Sequence, residues 1–341
     1  MKVLLYTKDY DKVKQSGVGK AIDHQIKALE TVGCDYTLDE NDSYDLVHIN
    51  TILPNSVTFA DKAKKEGKKV IYHAHSTKED FKDSFILSNQ IAPAFKVWLT
   101  YCYNKGDLII TPSEYSKRIL ESYKLKKDIE VVSNGIDLDF WKQKENDREN
   151  FYNKYGIDKN KKTIISVGLP IKRKGIDDFI ALAKRMPEYE FIWFGELNPS
   201  IIPPEINKDI DTAPANLHFP GYINSDDLRE AYCGSDLYVF LTHEETEGIV
   251  LLEALACKAD ILIRDIEIFE DEYEDGVNIY KADSIAEFEK KIHQILEGEL
   301  GSLSDVAYKI AEEKSIENTG KKLVACYKKV MNLWDQYYIF Y

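Results

Sequence analysis

Residues 237–257 read LYVFLTHEETEGIVLLEALAC. The opening Leu237–Phe240 is a short β-branched and aromatic run, the pattern of a strand. After a polar loop, Gly248 leads into an apolar stretch to Cys257 that is interrupted by one charge, Glu253, and reads as a helix. Strand, polar loop and helix in that order form the repeating half of a parallel α/β sheet.

The same alternation extends outward from this stretch in both directions. Downstream, Ile261–Arg264 reads as the next strand. Upstream, Thr163–Val167, Phe191–Phe194 and Leu217–Phe219 read as strands, with helices near Asp177–Arg185 and Ser225–Cys233. A second series fills the first half of the chain. Its strands are Lys2–Tyr6, Asp45–Asn50, Lys69–His73, Leu108–Pro112 and Ile129–Ser133, and a helix runs from about Gly19 to Val32. The fold class expected is α/β, with two Rossmann-like, doubly wound sheets whose ligands bind beyond the carboxyl ends of the strands. A length of 341 residues suits two domains. We place the first at 1–145 and the second at 146–318, with a helical tail at 319–341 that ends in the aromatic stretch Trp334 to Tyr341. The polar segment Asp139–Lys162 reads as the linker.

Composition narrows the function classes. A net charge of −14 argues against a nucleic-acid partner. Residues 1–150 nevertheless hold 23 Lys and Arg against 24 Asp and Glu, so nearly all the excess acid lies in the second half. A near-neutral half can turn toward an anionic surface, although acidic surfaces also serve solubility alone. The five cysteines stand singly, which fits neither a disulfide framework nor a zinc site and suits a reducing cytosol. No stretch approaches the ~20 apolar residues of a membrane span.

Four motifs carry candidate chemistry. In Glu244–Cys257, Glu245 precedes the helix and Glu253 falls in its second turn. The helix start at Gly248, Ile249 and Val250 would offer free amides and a positive dipole end to an anion. Glu245 could then reach sugar hydroxyls and Glu253 those of a ribose; acidic residues here could equally cap the first turn. In Val167–Gly175 (VGLPIKRKG), Lys172, Arg173 and Lys174 follow a strand and could hold a diphosphate, or simply be solvated. Gly17 and Gly19 in SGVG permit close backbone approach to a ligand, or just a turn. His75, in the HAHST of residues 73–77, follows a strand end, where a hydrogen-bonded structural histidine is the alternative.

Taken together, these motifs resemble the large retaining glycosyltransferase family 4, which uses the GT-B fold of two Rossmann-like domains facing across a cleft. The resemblance implies that Glu245 contacts the donor sugar and Glu253 the ribose, as in the family's E-x7-E signature. Glu247 stands where many members carry phenylalanine. VGLPIKRKG is similar to the family's G-R-x4-K-G element: Lys174 fits the lysine, Leu169 occupies the arginine position, and Arg173 is expected to take over its grip on the diphosphate. His75 matches the active-site histidine that contacts the transferred sugar, and Gly17 and Gly19 match the glycine-rich loop. TPSEYS at 111–116 and VSNGID at 132–137 also agree with the family. FPGYINS at 219–225 places Tyr222, Ile223 and Ser225 at the nucleobase. No metal or other cofactor is implied, and the final helix is expected to return to the first domain.

Within the family, SGVGKAIDHQ, HAHSTKEDFKDSF, RKGIDDF and EFIWFGE resemble bacterial synthases that add a second hexose to monoglucosyl-diacylglycerol. Their diglycosyl lipids anchor lipoteichoic acid. The implied donor is UDP-glucose or UDP-galactose, and the implied acceptor is a glycolipid. An anionic membrane partner fits Lys62, Lys64, Lys65, Lys68 and Lys69, and the aromatic–aliphatic stretch Phe81–Tyr103 reads as an interfacial helix. The same residues could instead dress an ordinary core helix. The location expected is cytoplasmic, peripheral on the inner face of the cell membrane. Two other readings remain: a family-4 enzyme with a soluble or polysaccharide acceptor, and a non-catalytic nucleotide-sugar-binding protein.

Overall fold

The computed structural model describes residues 1–14 and 16–332, so the aromatic end from Trp334 to Tyr341 lies outside the described residues. The chain divides into two compact units. Among the described residues, the first comprises 1–78, 92–136 and 314–332; the second comprises 79–91 and 137–313.

The first unit is built on a six-stranded parallel sheet in the order β2-β1-β3-β4-β5-β6. Its strands are β1 (Val3–Tyr6), β2 (Tyr36–Thr37), β3 (Leu46–Ile49), β4 (Lys69–His73), β5 (Leu108–Thr111) and β6 (Ile129–Val131). Apolar runs such as VLLY and LIIT are buried along their whole length, because helices cover both faces. The strand order reverses between β1 and β3, which makes the loops after them the ligand-binding crevice of this unit. The helix Ile316–Val330 packs on Gly17–Thr31 within this unit, and Leu323 and Tyr327 are fully buried. Gly320 makes that approach possible, since a Cβ there would lie 2.5 Å from the Ala28 carbonyl oxygen.

The second unit holds β7 (Thr163–Val167), β8 (Glu190–Phe194), β9 (Leu217–Gly221), β10 (Leu237–Phe240), β11 (Ile261–Arg264) and β12 (Tyr280–Ala282). All are parallel, in the order β12-β11-β10-β7-β8-β9. The reversal falls between β7 and β10, so the loops following these two strands meet at the switch point. Trp193, Phe179, Phe191 and Phe240 are among the large side chains fully buried in this unit.

Two expectations about the layout need correction. The break between units follows Ile136, not residue 145, and residues 79–91 join the second unit. Ile136 is held in the first unit by backbone bonds to Lys314 and Ile316. The segment Asp139–Lys162 is not a linker. It contains the helices Leu138–Trp141 and Asp147–Tyr155, and Trp141, Phe151 and Tyr152 are buried. Arg148 ties the second of these helices down through the Gly234 carbonyl at 2.8 Å.

Candidate active site

In the second unit the loop after β7 turns through Lys172–Lys174 to Gly175, whose φ of +79° starts the helix Ile176–Arg185. A side chain at Gly175 would meet the Leu241 carbonyl oxygen at 2.4 Å, so glycine brings this loop against the one after β10. The two loops are then fastened together. His243 N–H donates to the Arg173 carbonyl at 2.8 Å, and Arg173 Nη1 donates to the Glu244 carbonyl at 2.9 Å. Arg173 Nε also donates to Ser84 Oγ at 2.9 Å, and its backbone N–H to the Asp83 carbonyl at 3.1 Å.

Lys174 forms an ion pair with Glu245. Burial alone would raise the Glu245 carboxyl, but the positive charges of Lys174 and Arg173 outweigh it and hold the group below its ordinary range. Burial pulls the Lys174 ammonium down against the attraction of Glu245. The ion pair stands mostly removed from water at the carboxyl end of the sheet.

Gly248 adopts φ +87° and begins the helix Ile249–Ala256. The N–H groups of Ile249 and Val250 open that helix, where no intrahelical acceptor exists, so they point a positive dipole end out of the switch point. Glu253, one turn on, is fully buried, and Tyr232 Oη donates to it at 3.4 Å and to the Val250 carbonyl at 3.0 Å. After β9, Tyr222 is exposed and Ile223 half-buried, and the exposed Ser225 begins the helix capped by Asn224.

In the first unit His75 lies just beyond β4 and is nearly buried. It lines a cavity of about 90 Å³ together with Val18, Asn50, Ile52, Leu53 and Tyr103. Its Nε2 lies 2.8 Å from Asn50 Oδ1. Burial pushes the imidazoles of His75 and His48 down to about 3, with the neighbouring His75 adding to the effect on His48. Gly17 heads the helix Gly17–Thr31 with open space around it. Gly19 is needed for packing, because a Cβ there would sit 2.4 Å from the Val13 carbonyl oxygen.

The family described as Glycosyl transferases group 1 matches residues 147–315, and Glycosyltransferase Family 4 matches residues 28–140. The sequence is 40% identical to the processive diacylglycerol alpha-glucosyltransferase of Acholeplasma laidlawii, over 98% of this chain and 99% of that protein. The chain belongs to glycosyltransferase family 4. An alpha-galactosylglucosyldiacylglycerol synthase of Streptococcus pneumoniae (strain ATCC BAA-255 / R6) is 25% identical over 76% of this chain and 71% of its own length. Among solved structures, Anabaena HepE in complex with UDP-glucose superposes with a TM-score of 0.78 at 16% identity, covering 96% of this chain and all of that one. This likeness establishes the GT-B fold, and the family match makes the chain a hexosyltransferase.

Several features of this family-4 enzyme could not be read from its motifs. Ser84 and Tyr232, which brace Arg173 and Glu253, carry no local signal. A larger cavity of about 290 Å³ is lined by Arg148, Lys162, Asp236, Lys258 and Asp260. These residues flank the amino ends of β7, β10 and β11, the side of the sheet away from the switch point, so the chemistry is not placed there. One group of possible metal ligands exists among the described residues: Asp177, Asp178 and His243, whose ligand atoms lie within 4.8 Å of one another. Arg264 and His243 both already bind Asp178.

The five lysines expected at a membrane differ from one another. Lys62, Lys65 and Lys69 are exposed. Lys64 pairs with Asp107 at 3.3 Å, and Lys68 donates to the Tyr44 carbonyl at 2.6 Å. The helix Ser88–Tyr103 is only partly a core helix. Leu99 and Tyr103 are fully buried, whereas Ile91, Val97 and Tyr101 are exposed, with Val97 at 71%. Among the described residues no helix is long and apolar enough to cross a membrane.

Proposed function

We propose that this hexosyltransferase moves a hexose, glucose in the first instance, from a UDP-hexose to a glycosylated diacylglycerol with retention of anomeric configuration. The observation that carries this reading is the near-full-length 40% identity to a diacylglycerol alpha-glucosyltransferase. The largely buried Lys174–Glu245 pair beside the start of the Ile249–Ala256 helix supports a donor site there.

In this reading the helix start at Gly248, with Arg173 and Lys174, neutralises the diphosphate as it leaves. Glu245 exchanges part of its contact with Lys174 for the donor sugar, and Tyr222, Ile223 and Ser225 border the base. The acceptor hydroxyl attacks the anomeric carbon on the face from which UDP departs. Its oxygen forms the new bond as the old carbon–oxygen bond breaks, and its proton passes to the leaving phosphate oxygen. His75 holds a hydroxyl of the transferred sugar, so that positioning lowers the barrier.

The enzyme would work as a peripheral protein on an anionic leaflet. Exposed Lys62, Lys65 and Lys69 supply attraction, and exposed apolar residues such as Val97 and Tyr101 supply insertion. The test is product analysis after incubation with UDP-glucose and vesicles containing monoglucosyl-diacylglycerol. The reading expects a lipid heavier by one hexose, with the small anomeric proton coupling of an α-linkage. A β-linked product would overturn retention, and a product made only on water-soluble sugars would overturn the lipid acceptor.

A further inference from the structure

Six polar side chains, His75 among them, meet from four elements. Gln25 comes from the Gly17–Thr31 helix, His48 and Asn50 from β3 and its end, His73 from β4, His75 from just beyond it, and Tyr327 from Ile316–Val330. None is more than 9% exposed.

With the reciprocal Gln25–Asn50 pair oriented so that Asn50 Oδ1 faces His75 and Gln25 Nε2 faces His73, the directions of the other hydrogen bonds follow from atoms that can only donate or only accept. The carboxamides of Gln25 and Asn50 pair reciprocally, at 2.8 Å in each direction. Asn50 Oδ1 only accepts, so His75 Nε2, 2.8 Å away, carries a proton. Gln25 Nε2 only donates, so His73 Nδ1, 3.0 Å away, is bare. His48 Nε2 stands 3.2 Å from that bare nitrogen and must donate to it. His48 Nδ1 is then left to accept from the Tyr327 hydroxyl at 2.8 Å. Each ring is neutral, and burial favours that state for all three. At the far end of the chain, His75 Nδ1 is left bare.

Stability does not explain this arrangement. A buried apolar set of the same shape would be about as stable as a satisfied polar network. This network is also not fully satisfied, since His73 Nε2 is buried without a hydrogen-bond partner. A requirement on His75, which sits at the cavity, does explain it.

We propose that Tyr327, His48, His73 and the Gln25–Asn50 pair are positioning residues for His75. They fix the plane of its ring and keep its proton on Nε2, so that Nδ1 acts as a hydrogen-bond acceptor for a sugar hydroxyl. The C-terminal helix thus enters the reaction through a phenol that touches no substrate. The inference rests on the reading of His75 as the residue that holds the transferred sugar.

Two measurements on the full chain test it. Long-range proton–nitrogen spectra of the unliganded ¹⁵N-labelled protein at neutral pH report the tautomers directly. His48, His73 and His75 are expected as neutral rings protonated on Nε2, and His75 protonated on Nδ1 overturns the proposal. The kinetic arm compares Tyr327→Phe and Gln25→Met in lipid-dependent UDP release. Each is expected to lower kcat about tenfold with the KM for UDP-hexose within about twofold, and to shift the His75 nitrogen resonances. In a His75→Gln background, Tyr327→Phe is expected to cost less than about twofold, because the group it positions is gone. Wild-type kcat and unmoved His75 resonances in both variants overturn the positioning role, provided that His75→Gln itself is impaired. If His75→Gln turns over like wild type, the assignment of His75 to the sugar falls, and this proposal falls with it.

Discussion

Acidification from pH 7 to pH 5 should remove much of the stability of the first unit. His48, His73 and His75 are buried and neutral, and burial, together with neighbouring imidazoles in the cases of His48 and His73, holds all three below the ordinary histidine range. In the unfolded chain each returns to a pKa of about 6.5. Because the folded values lie below the unfolded ones, the unfolded chain takes up protons that the native state refuses. The stability is therefore whole above pH 6.5 and is lost as pH falls toward the folded values. One such histidine loses about 1.9 kcal/mol between pH 7 and pH 5, and three lose about 6 kcal/mol. A domain has only about 5–15 kcal/mol in total. Urea unfolding followed by far-ultraviolet circular dichroism at the two pH values measures the loss. His48→Gln removes one titrating group and should shrink the pH-dependent difference by about 2 kcal/mol, whatever it does to stability at pH 7. A wild-type loss below about 2 kcal/mol, or an undiminished loss in His48→Gln, would show that these histidines are not held neutral by burial.

Four other outcomes follow from the site. Arg173→Ala should raise donor KM and lower kcat by at least about tenfold, since it removes a cation and charge-assisted bonds to Ser84 and Glu244; unchanged donor affinity and turnover would end its assignment to the diphosphate. Gly248→Ala places a side chain at φ +87° with its Cβ 3.2 Å from the Phe240 ring, and should cost about 1–2 kcal/mol in thermal unfolding along with weaker UDP binding. Changing Lys62, Lys65 and Lys69 together to Gln should weaken binding to anionic vesicles at low salt by about 3 kcal/mol, roughly a hundredfold, and sedimentation with vesicles would show it. The paired Lys64 and Lys68 should matter less. Enzyme treated with EDTA should keep its rate; a tenfold loss restored by manganese would instead give Asp177, Asp178 and His243 a catalytic ion.

Much of this architecture was legible in the sequence because it is written in short apolar runs. Lys69–His73, Thr163–Val167, Leu237–Phe240 and Ile261–Arg264 are strands at the residues the pattern gave. Strands β2 and β12 were not legible: two or three residues at a sheet edge carry no alternation to read. In 139–162 the dense charge concealed Trp141, Phe151 and Tyr152, the residues that fold it onto the second unit. Glu245 and Lys174 could be singled out by spacing, but their ion pair joins residues 71 apart, and Ser84 lies 89 residues from the arginine it braces. Such contacts are set by the order of strands, which local pattern does not encode. The chain behind His75 did leave a trace. His48 and Asn50, and His73 and His75, are polar residues spaced by two where two adjacent strands end, so one face of the sheet there is polar.

The proposed reaction spends a UDP-hexose on a glycolipid. Steady-state UDP release by the purified protein tests it most directly, with UDP-glucose and UDP-galactose each supplied with and without monoglucosyl-diacylglycerol in anionic vesicles. Release is expected to depend on the lipid, with UDP-glucose the faster donor. Release that is equally fast without lipid, or absent with both donors while UDP still binds, would contradict it.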